Sequence, residues 1–97
     1  VDPKPIMEWT SQHLGKPSIG FFDFAIEDGV LLGHVESGFE HGELAGKLAM
    51  DIIKGKKTTE IPIITAQKGM IMVNEKTATR LGIDMAPLKN IVDKVIR

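Results

Sequence analysis

The chain has 97 residues, of which 42% are hydrophobic and 26% charged, so it has the size of one modest domain with a single small core. A net charge of -1 provides no basic surface for nucleic acid, and a nucleic-acid partner is not expected. The absence of cysteine excludes disulfides, thiolate metal sites and cysteine nucleophiles, and no apolar run is long enough to span a bilayer.

The first elements are a short helix and two strands. Apolar residues at helical spacing predict a surface helix over 6–14, which Gly15 stops. The nearly continuous apolar run 18–24 predicts a strand covered on both faces, as in a parallel sheet, with Asp23 at its carboxyl end. A second strand is predicted over 30–35.

The longest periodic segment predicts a helix from Ser37 to about Lys54. Ser37 is a favourable N-cap, and Glu40 three residues later completes the pattern of a capping box. One face is charged and includes Glu43 and Lys47 at a spacing that allows an ion pair. The opposite face is apolar and is predicted to be packed; its residues are Leu44, Ala45, Leu48, Ala49 and Ile52.

Three glycines follow the edge of this apolar face at four-residue spacing. They are Gly38, Gly42 and Gly46, and each costs about 1 kcal/mol of helix propensity relative to alanine. We expect a sheet or a second helix to approach the backbone closely along this glycine strip and to offset that cost.

The remaining residues predict alternating strands and short helices. Proline at position 62 places the first of these strands near a sheet edge, because proline donates no ladder hydrogen bond. The predicted elements are a strand over 61–64, a strand over 70–73, a helix over 75–81 capped by Asn74 and ended by Gly82, and a final turn and strand within 87–97.

Three acids follow the first predicted strand and raise the question of an acidic site. Asp23, Glu27 and Asp28 have the residue types of a divalent-cation site or a phosphoacceptor pocket, although the further acids and lysine of such a pocket are missing. Glu27 and Asp28 are better explained as a solvated turn. Asp23, at the mouth of an open sheet, is placed to pair with an ammonium group, and Phe22 and Phe24 supply apolar walls.

Metal binding and catalysis have little support in the sequence. His34, Glu36, Glu40 and His41 are a loose set without the spacing of a metal site, so no metal or other cofactor is expected. His41 falls on the apolar side of its helix and is predicted to be a buried, hydrogen-bonded histidine at an interface. Ser37 has no recognisable triad partners, and its capping role already accounts for it. The protein is therefore not expected to be an enzyme.

Several short motifs occur in an order that resembles a known family. They are the strand ending in Asp23-Phe24, the turn Glu27-Asp28-Gly29, the junction Ser37-Gly38 before Glu40, the helix closing on Lys54-Gly55-Lys56, and Leu81-Gly82-Ile83. Together they resemble the C-terminal part of the ABC transporter substrate-binding protein family, from about residue 16 to residue 96. One departure is His41, where similar sequences often have glutamine.

The resemblance implies a three-layer α/β fold, with a mostly parallel sheet flanked by helices, as in the C-terminal portion of a type I periplasmic-binding fold. Residues 1–97 would form a partial substrate-binding domain, with a hinge crossing between two lobes near 36–38. Strand 18–23 and the region 61–73 would belong largely to one lobe, and the helix beginning at Ser37 to the other. The ligand-binding residues implied are Phe22, Asp23, Phe24, Ser37 and Gly38.

The same resemblance implies a non-catalytic receptor for a small polar or amino-acid-like ligand, working with an ABC permease or a sensor module. Its location would be periplasmic or extracytoplasmic, either free or membrane-anchored in the parent protein. Its packing surface would meet a missing N-terminal lobe or lead to self-association. The alternatives that the residues leave open are a phosphoacceptor or metal-dependent α/β signalling module that uses Asp23, and a purely structural dimerisation domain.

Overall fold

Within residues 1–66 and 69–97, which this computed structural model describes, the chain forms four α-helices, four strands and two short 3₁₀-helices. The helices are α1 (Lys4–His13), α2 (Asp23–Glu27), α3 (Gly38–Ile53) and α4 (Glu75–Leu81). The strands are β1 (Ile19–Gly20), β2 (Leu32–Glu36), β3 (Gly69–Asn74) and β4 (Lys94–Ile96). The 3₁₀-helices are Thr58–Glu60 and Ala86–Leu88.

The four strands form one sheet in the order β1-β2-β3-β4. β1 and β2 are parallel, with Ile19 opposite Leu32, and β3 and β4 are also parallel. The backbone N–H of Asn74 donates to the carbonyl oxygen of Leu31 at 2.8 Å. The carboxyl end of β3 therefore lies beside the amino end of β2.

Two buried clusters cover the two faces of this sheet. Met72 and Val73 are neighbours on β3, and successive strand residues point to opposite faces. Met72 packs with Ile26 of α2, whereas Val73 packs with Ala78 of α4. The sheet thus lies between two helical layers, and the predicted three-layer α/β fold is confirmed.

A close approach of two backbones defines the pairing of β1 with β2. Gly20 and Gly33 are opposite each other in the parallel register and both are buried. A Cβ atom added to Gly33 would overlap the carbonyl oxygen of Gly20. Only glycine at position 33 allows these two strands to pair at this distance.

The chain divides into two compact units. The first contains 1–36 and 70–97, with both buried clusters. The second contains 37–69, with helix α3. Contrary to the prediction that region 61–73 belongs largely to one lobe with the first strand, residues 61–69 belong to the unit of α3 and residues 70–73 to the unit of β1.

Helix α3 forms as predicted from its local signals. The Ser37 side chain accepts a hydrogen bond from the backbone N–H of Glu40 at 3.2 Å, which caps the helix start. Lys47 and Glu43 form the predicted ion pair at 3.2 Å. The chain leaves the helix at Lys54 and turns at Gly55, which has a φ of 103°.

The apolar face of α3 is not packed within the described chain, so its predicted packing against a missing lobe stays a prediction. No residue of α3 is buried, and Ile52 and Ile53 are 45% and 76% exposed. Apart from the nearby backbone of α3 itself, an added Cβ at any glycine of the strip Gly38, Gly42 and Gly46 would meet no described atom within 4 Å. His41 is exposed, so the described residues do not bury it, and its predicted burial at an interface stays a prediction.

Two predicted strands differ from the structure. The strand predicted over 18–24 is limited to Ile19–Gly20, because Phe21 and Phe22 lie outside the core, 69% and 62% exposed, and the chain turns into α2. No strand forms over 61–64, which follows a 3₁₀-helix and remains irregular. Its apolar side chains, such as Ile63 at 99% exposure, find no sheet to join.

Candidate functional site

The segment that follows β1 brings aromatic rings to one end of the sheet. β1 ends at Gly20, and Phe21 and Phe22 come directly after its carboxyl end. The rings of Phe22 and Phe24 stack with centroids 5.5 Å apart and planes 8° from parallel. Because Phe22 and Phe24 are 62% and 41% exposed, they present apolar surface to solvent rather than to the core.

The sequence predicted Asp23 at the carboxyl end of a strand. In the structure, Asp23 is instead the first residue of α2. Its carboxylate oxygen Oδ1 accepts a hydrogen bond from the backbone N–H of Phe24 at 2.8 Å, and an acid in the first turn of a helix is electrostatically favoured. Asp23 remains exposed. Its negative charge is therefore available beside the stacked rings.

A cavity of about 330 Å³ opens at this end of the sheet, and we call it the edge cavity. Its lining residues are Phe21, Phe22, His34 and Glu36. The two phenylalanines follow β1, and Glu36 is the last residue of β2. The carboxyl ends of neighbouring parallel strands are the place where open α/β sheets bind ligands.

The structure brings together only part of the predicted set of ligand-binding residues. Phe22 lines the edge cavity, and Asp23 and Phe24 follow it in the chain. Ser37 and Gly38 follow Glu36 but belong to the second compact unit, where the Ser37 hydroxyl accepts the N-cap hydrogen bond of α3.

Sequence reasoning missed three residues that line the edge cavity: Phe21, His34 and Glu36. His34 and Glu36 had been considered only as metal ligands. The alternation of β2, in which Gly33 and Val35 are buried and His34 and Glu36 exposed, is the signal that separates these two side chains from the core.

The acidic turn after α2 has a structural role. Asp28 ends the helix, and Gly29 has a φ of 120°, a conformation that favours glycine. The carbonyl oxygen of Gly29 accepts hydrogen bonds from the hydroxyls of Ser11 at 2.7 Å and Thr77 at 2.8 Å. This turn therefore connects α1, α2 and α4.

A second, polar cavity of about 290 Å³ lies around this turn, near the amino end of β2 and so away from the edge cavity. Arg80 donates hydrogen bonds to the hydroxyls of Ser11 and Thr77, both of which donate in turn to Gly29. These polar groups thus hydrogen-bond to one another, and the bonds hold α1 against the rest of its unit.

Metal-ligating side chains do not gather within residues 1–66 and 69–97: no group of three or more histidine, aspartate or glutamate residues is arranged to hold an ion. Over the same residues, no helix combines the length and the apolar character that crossing a membrane requires.

Comparison with solved structures shows what this fold is similar to. An ABC domain in complex with L-Trp from Streptococcus pneumonia superimposes with a TM-score of 0.80 at 26% identity, over 95% of this chain and 32% of that one. A ligand-free, open substrate-binding protein with adhesive properties from Clostridium difficile gives 0.74 at 21% identity, over 98% and 32%. A conserved domain protein from Vibrio cholerae O1 biovar eltor gives 0.74 at 12% identity, over 98% and 41%.

The latter two likenesses, at low identity, show the fold alone. The chain spans about a third of the length of the first two solved proteins. A search among curated proteins finds no match. The family model for ABC transporter substrate binding protein matches residues 6–91, which is most of the chain. This chain therefore belongs to the ABC transporter substrate-binding protein family.

Proposed function

We propose that this chain is the C-terminal part of a non-catalytic receptor that binds a small polar or amino-acid-like solute. The observation that carries the proposal is the edge cavity, where aromatic rings and a carboxylate meet at the carboxyl ends of two parallel strands. Binding sites for small molecules combine apolar walls with a few polar groups in this way. Family membership supports solute recognition rather than phosphoacceptor chemistry at Asp23.

The chemistry of the segment Phe22-Asp23-Phe24 suits a ligand with an ammonium group and an apolar side chain. The exposed Asp23 carboxylate offers an ionic partner, and the stacked rings of Phe22 and Phe24 offer a flat apolar surface. The L-Trp complex of the similar pneumococcal protein supports an amino acid as the first ligand to test.

We place the hinge crossing of the receptor near residues 36–38. The boundary between the two compact units, which falls between Glu36 and Ser37, supports this position. Ser37 and Gly38 directly follow the edge cavity in the chain, so in this proposal they come near the ligand when the receptor closes.

In the complete receptor, the missing lobe covers the apolar face of α3. This chain aligns with about a third of each of the first two solved relatives, so about two thirds of each relative lies outside the aligned part. The apolar face of α3, which that additional part would cover, is exposed here. Without that lobe, exposed apolar surface favours association between copies. We expect residues 1–97 to sediment as an oligomer, and a compact monomer that unfolds cooperatively would contradict this part of the proposal.

The proposed receptor works outside the cytoplasm and delivers its ligand to an ABC permease or to a sensor module of the parent protein. Membership of the substrate-binding family supports the transport partner in general. The sensor role is an alternative output of the same binding event, and a ligand-dependent uptake assay in cells lacking the gene would separate the two.

A thermal-shift screen of the complete gene product against L-amino acids, including L-tryptophan, tests the function. A ligand at about a hundred times its dissociation constant stabilises the protein by about 2.7 kcal/mol, which such a screen detects. Phe22→Ala and Asp23→Asn should weaken the binding that is found.

Asp84→Asn is the matched control, because its side-chain oxygen can still accept the hydrogen bond from the backbone N–H of Ala86. Binding of magnesium or beryllium fluoride that disappears in Asp23→Asn would instead favour the signalling module.

A further inference from the structure

The polar part of the edge cavity comes from two side chains of one strand. His34 and Glu36 are two residues apart on β2 and therefore project from the same side of the strand. Both are exposed, whereas the intervening Val35 belongs to the buried core. Their position is thus set by a packed strand and not by a loose loop, so a ligand in the cavity meets them in a fixed arrangement.

Among the described residues, the carboxylate that lines this cavity has no lysine or arginine beside it in the lining. This carboxylate belongs to Glu36, and the exposed carboxylate of Asp23 follows Phe22 in the chain. The faces of Phe21 and Phe22 carry the negative end of the ring quadrupole and attract cations. A neutral imidazole at His34 can accept a hydrogen bond from an N–H donor. The Glu36 carboxylate and the phenylalanine faces therefore favour a positively charged donor over a carboxylate or phosphate, and His34 can accept one of its hydrogen bonds.

We propose that His34 and Glu36 are specificity-determining residues that hold the protonated amine of a ligand, with the adjoining flat apolar part of that ligand against Phe21 and Phe22. This assignment rests on the proposed solute-binding function and deepens it. It selects amines and amino acids that carry an aromatic or otherwise flat apolar group, and it gives the principal ionic contact to Glu36.

Three indole compounds separate the amine from the carboxylate of the ligand. Isothermal titration calorimetry of the complete gene product would use L-tryptophan, tryptamine, which lacks the carboxylate, and indole-3-propionate, which lacks the amine. We expect tryptamine to retain measurable affinity and indole-3-propionate to lose at least about tenfold relative to L-tryptophan, since a hydrogen bond to a charged group contributes that much.

Glu36→Gln should lower the affinity for L-tryptophan and tryptamine at least about tenfold, because it removes the charge and keeps the shape. His34→Ala should weaken both ligands less. Phe21→Leu, which retains an apolar side chain, should weaken them about twofold to fivefold, the range of an exposed cation–π contact. Glu27→Gln is the matched control, since this carboxylate lines the polar cavity near the amino end of β2 and should leave all three affinities unchanged.

The outcomes distinguish this inference from the function on which it rests. If the unmodified protein binds L-tryptophan and Glu36→Gln binds it equally well, the solute-binding function stands and this assignment is wrong. Preference for indole-3-propionate over tryptamine would overturn the assignment in the same way. If neither these compounds nor any amino acid binds the unmodified protein, the proposed function fails and the assignment fails with it.

Discussion

The two compact units of this chain are stabilised in different ways. The unit formed by 1–36 and 70–97 contains two buried clusters on opposite faces of a sheet. The unit formed by 37–69 contains a helix of 16 residues, none of which is buried. The first unit depends on contacts between segments far apart in sequence, whereas α3 depends on its own cap, ion pair and hydrogen-bond ladder.

This difference shows that the local signals that define where a helix begins and ends are distinct from the packing that stabilises it. Capping and side-chain pairs each contribute about 1 kcal/mol or less, and most helix stability in proteins comes from packing of an apolar face. α3 has the local signals without the packing. We therefore expect the apolar face and the glycine strip to be the part of this chain that depends most on a partner.

The largest expected effect comes from the pairing of β1 with β2. Gly33→Ala places a methyl group against the carbonyl oxygen of Gly20, and neither backbone can move without breaking the strand pair. We expect a loss of roughly 3 kcal/mol or more in the free energy of unfolding, the upper part of the range for overpacking. Urea unfolding followed by circular dichroism measures it. A loss below about 1 kcal/mol would mean that the two strands are not held this closely.

A smaller loss is expected from Asn74, which connects two helices of the first unit. Its side-chain oxygen accepts the N-cap hydrogen bond from Thr77, and its amide donates to the carbonyl oxygen of Ile26 at 2.8 Å. Asn74→Ala removes the cap and one of the hydrogen bonds that the Ile26 carbonyl oxygen accepts, whereas the bond from the backbone N–H of Gly29 at 3.3 Å remains. The loss of a cap and one buried hydrogen bond costs about 2 kcal/mol.

Asn74→Ser is the informative companion, because its hydroxyl oxygen can still cap the helix, whereas its shorter side chain removes the amide donor to Ile26. Urea unfolding should place it between the wild type and Asn74→Ala. Equal losses in the two variants would show that the cap contributes nothing.

The smallest expected effect is a change in the stability of the second unit. The informative result is whether the substitution stabilises or destabilises the protein. Gly46→Ala improves helix propensity by up to about 1 kcal/mol, and beyond the nearby backbone of α3 an added Cβ meets no atom of the described residues within 4 Å. In residues 1–97 the variant should therefore raise the helical signal and the thermal midpoint. In the complete receptor the same methyl group should destabilise, because the proposed lobe packs on the glycine strip. A gain in both proteins would contradict that packing.

The helices were predictable wherever their ends are marked by local chemistry. Ser37 caps α3, Asn74 caps α4, and Gly82 ends α4, each as the residue type indicates. α2 was missed because Phe21, Phe22 and Phe24 extend an apolar run that is typical of a buried strand, although these rings are exposed. The apolar run 61–64 was misassigned for the same reason. An apolar run indicates that its side chains favour burial, but it does not indicate whether other residues of this chain bury them.

The candidate site was predictable only in part. Phe22 and Asp23 were predicted as ligand-binding residues because an aromatic ring and a carboxylate occur together at the end of an apolar run. His34 and Glu36 became candidates for ligand binding only when the parallel register of β1 and β2 brought them beside Phe21 and Phe22. Such a register joins residues about thirteen positions apart and leaves no local trace in the sequence.

By itself, the sequence determined the elements that depend on neighbouring residues: the capped helices, the glycine turns and the order of motifs by which the family is recognised. The tertiary structure decided where β1 stops, which side chains line the edge cavity, and that the apolar face of α3 is uncovered. The physical reason is the separation in sequence between the residues that interact. Caps and turns are satisfied within a few residues, whereas burial and cavities depend on segments that meet only after the chain has folded.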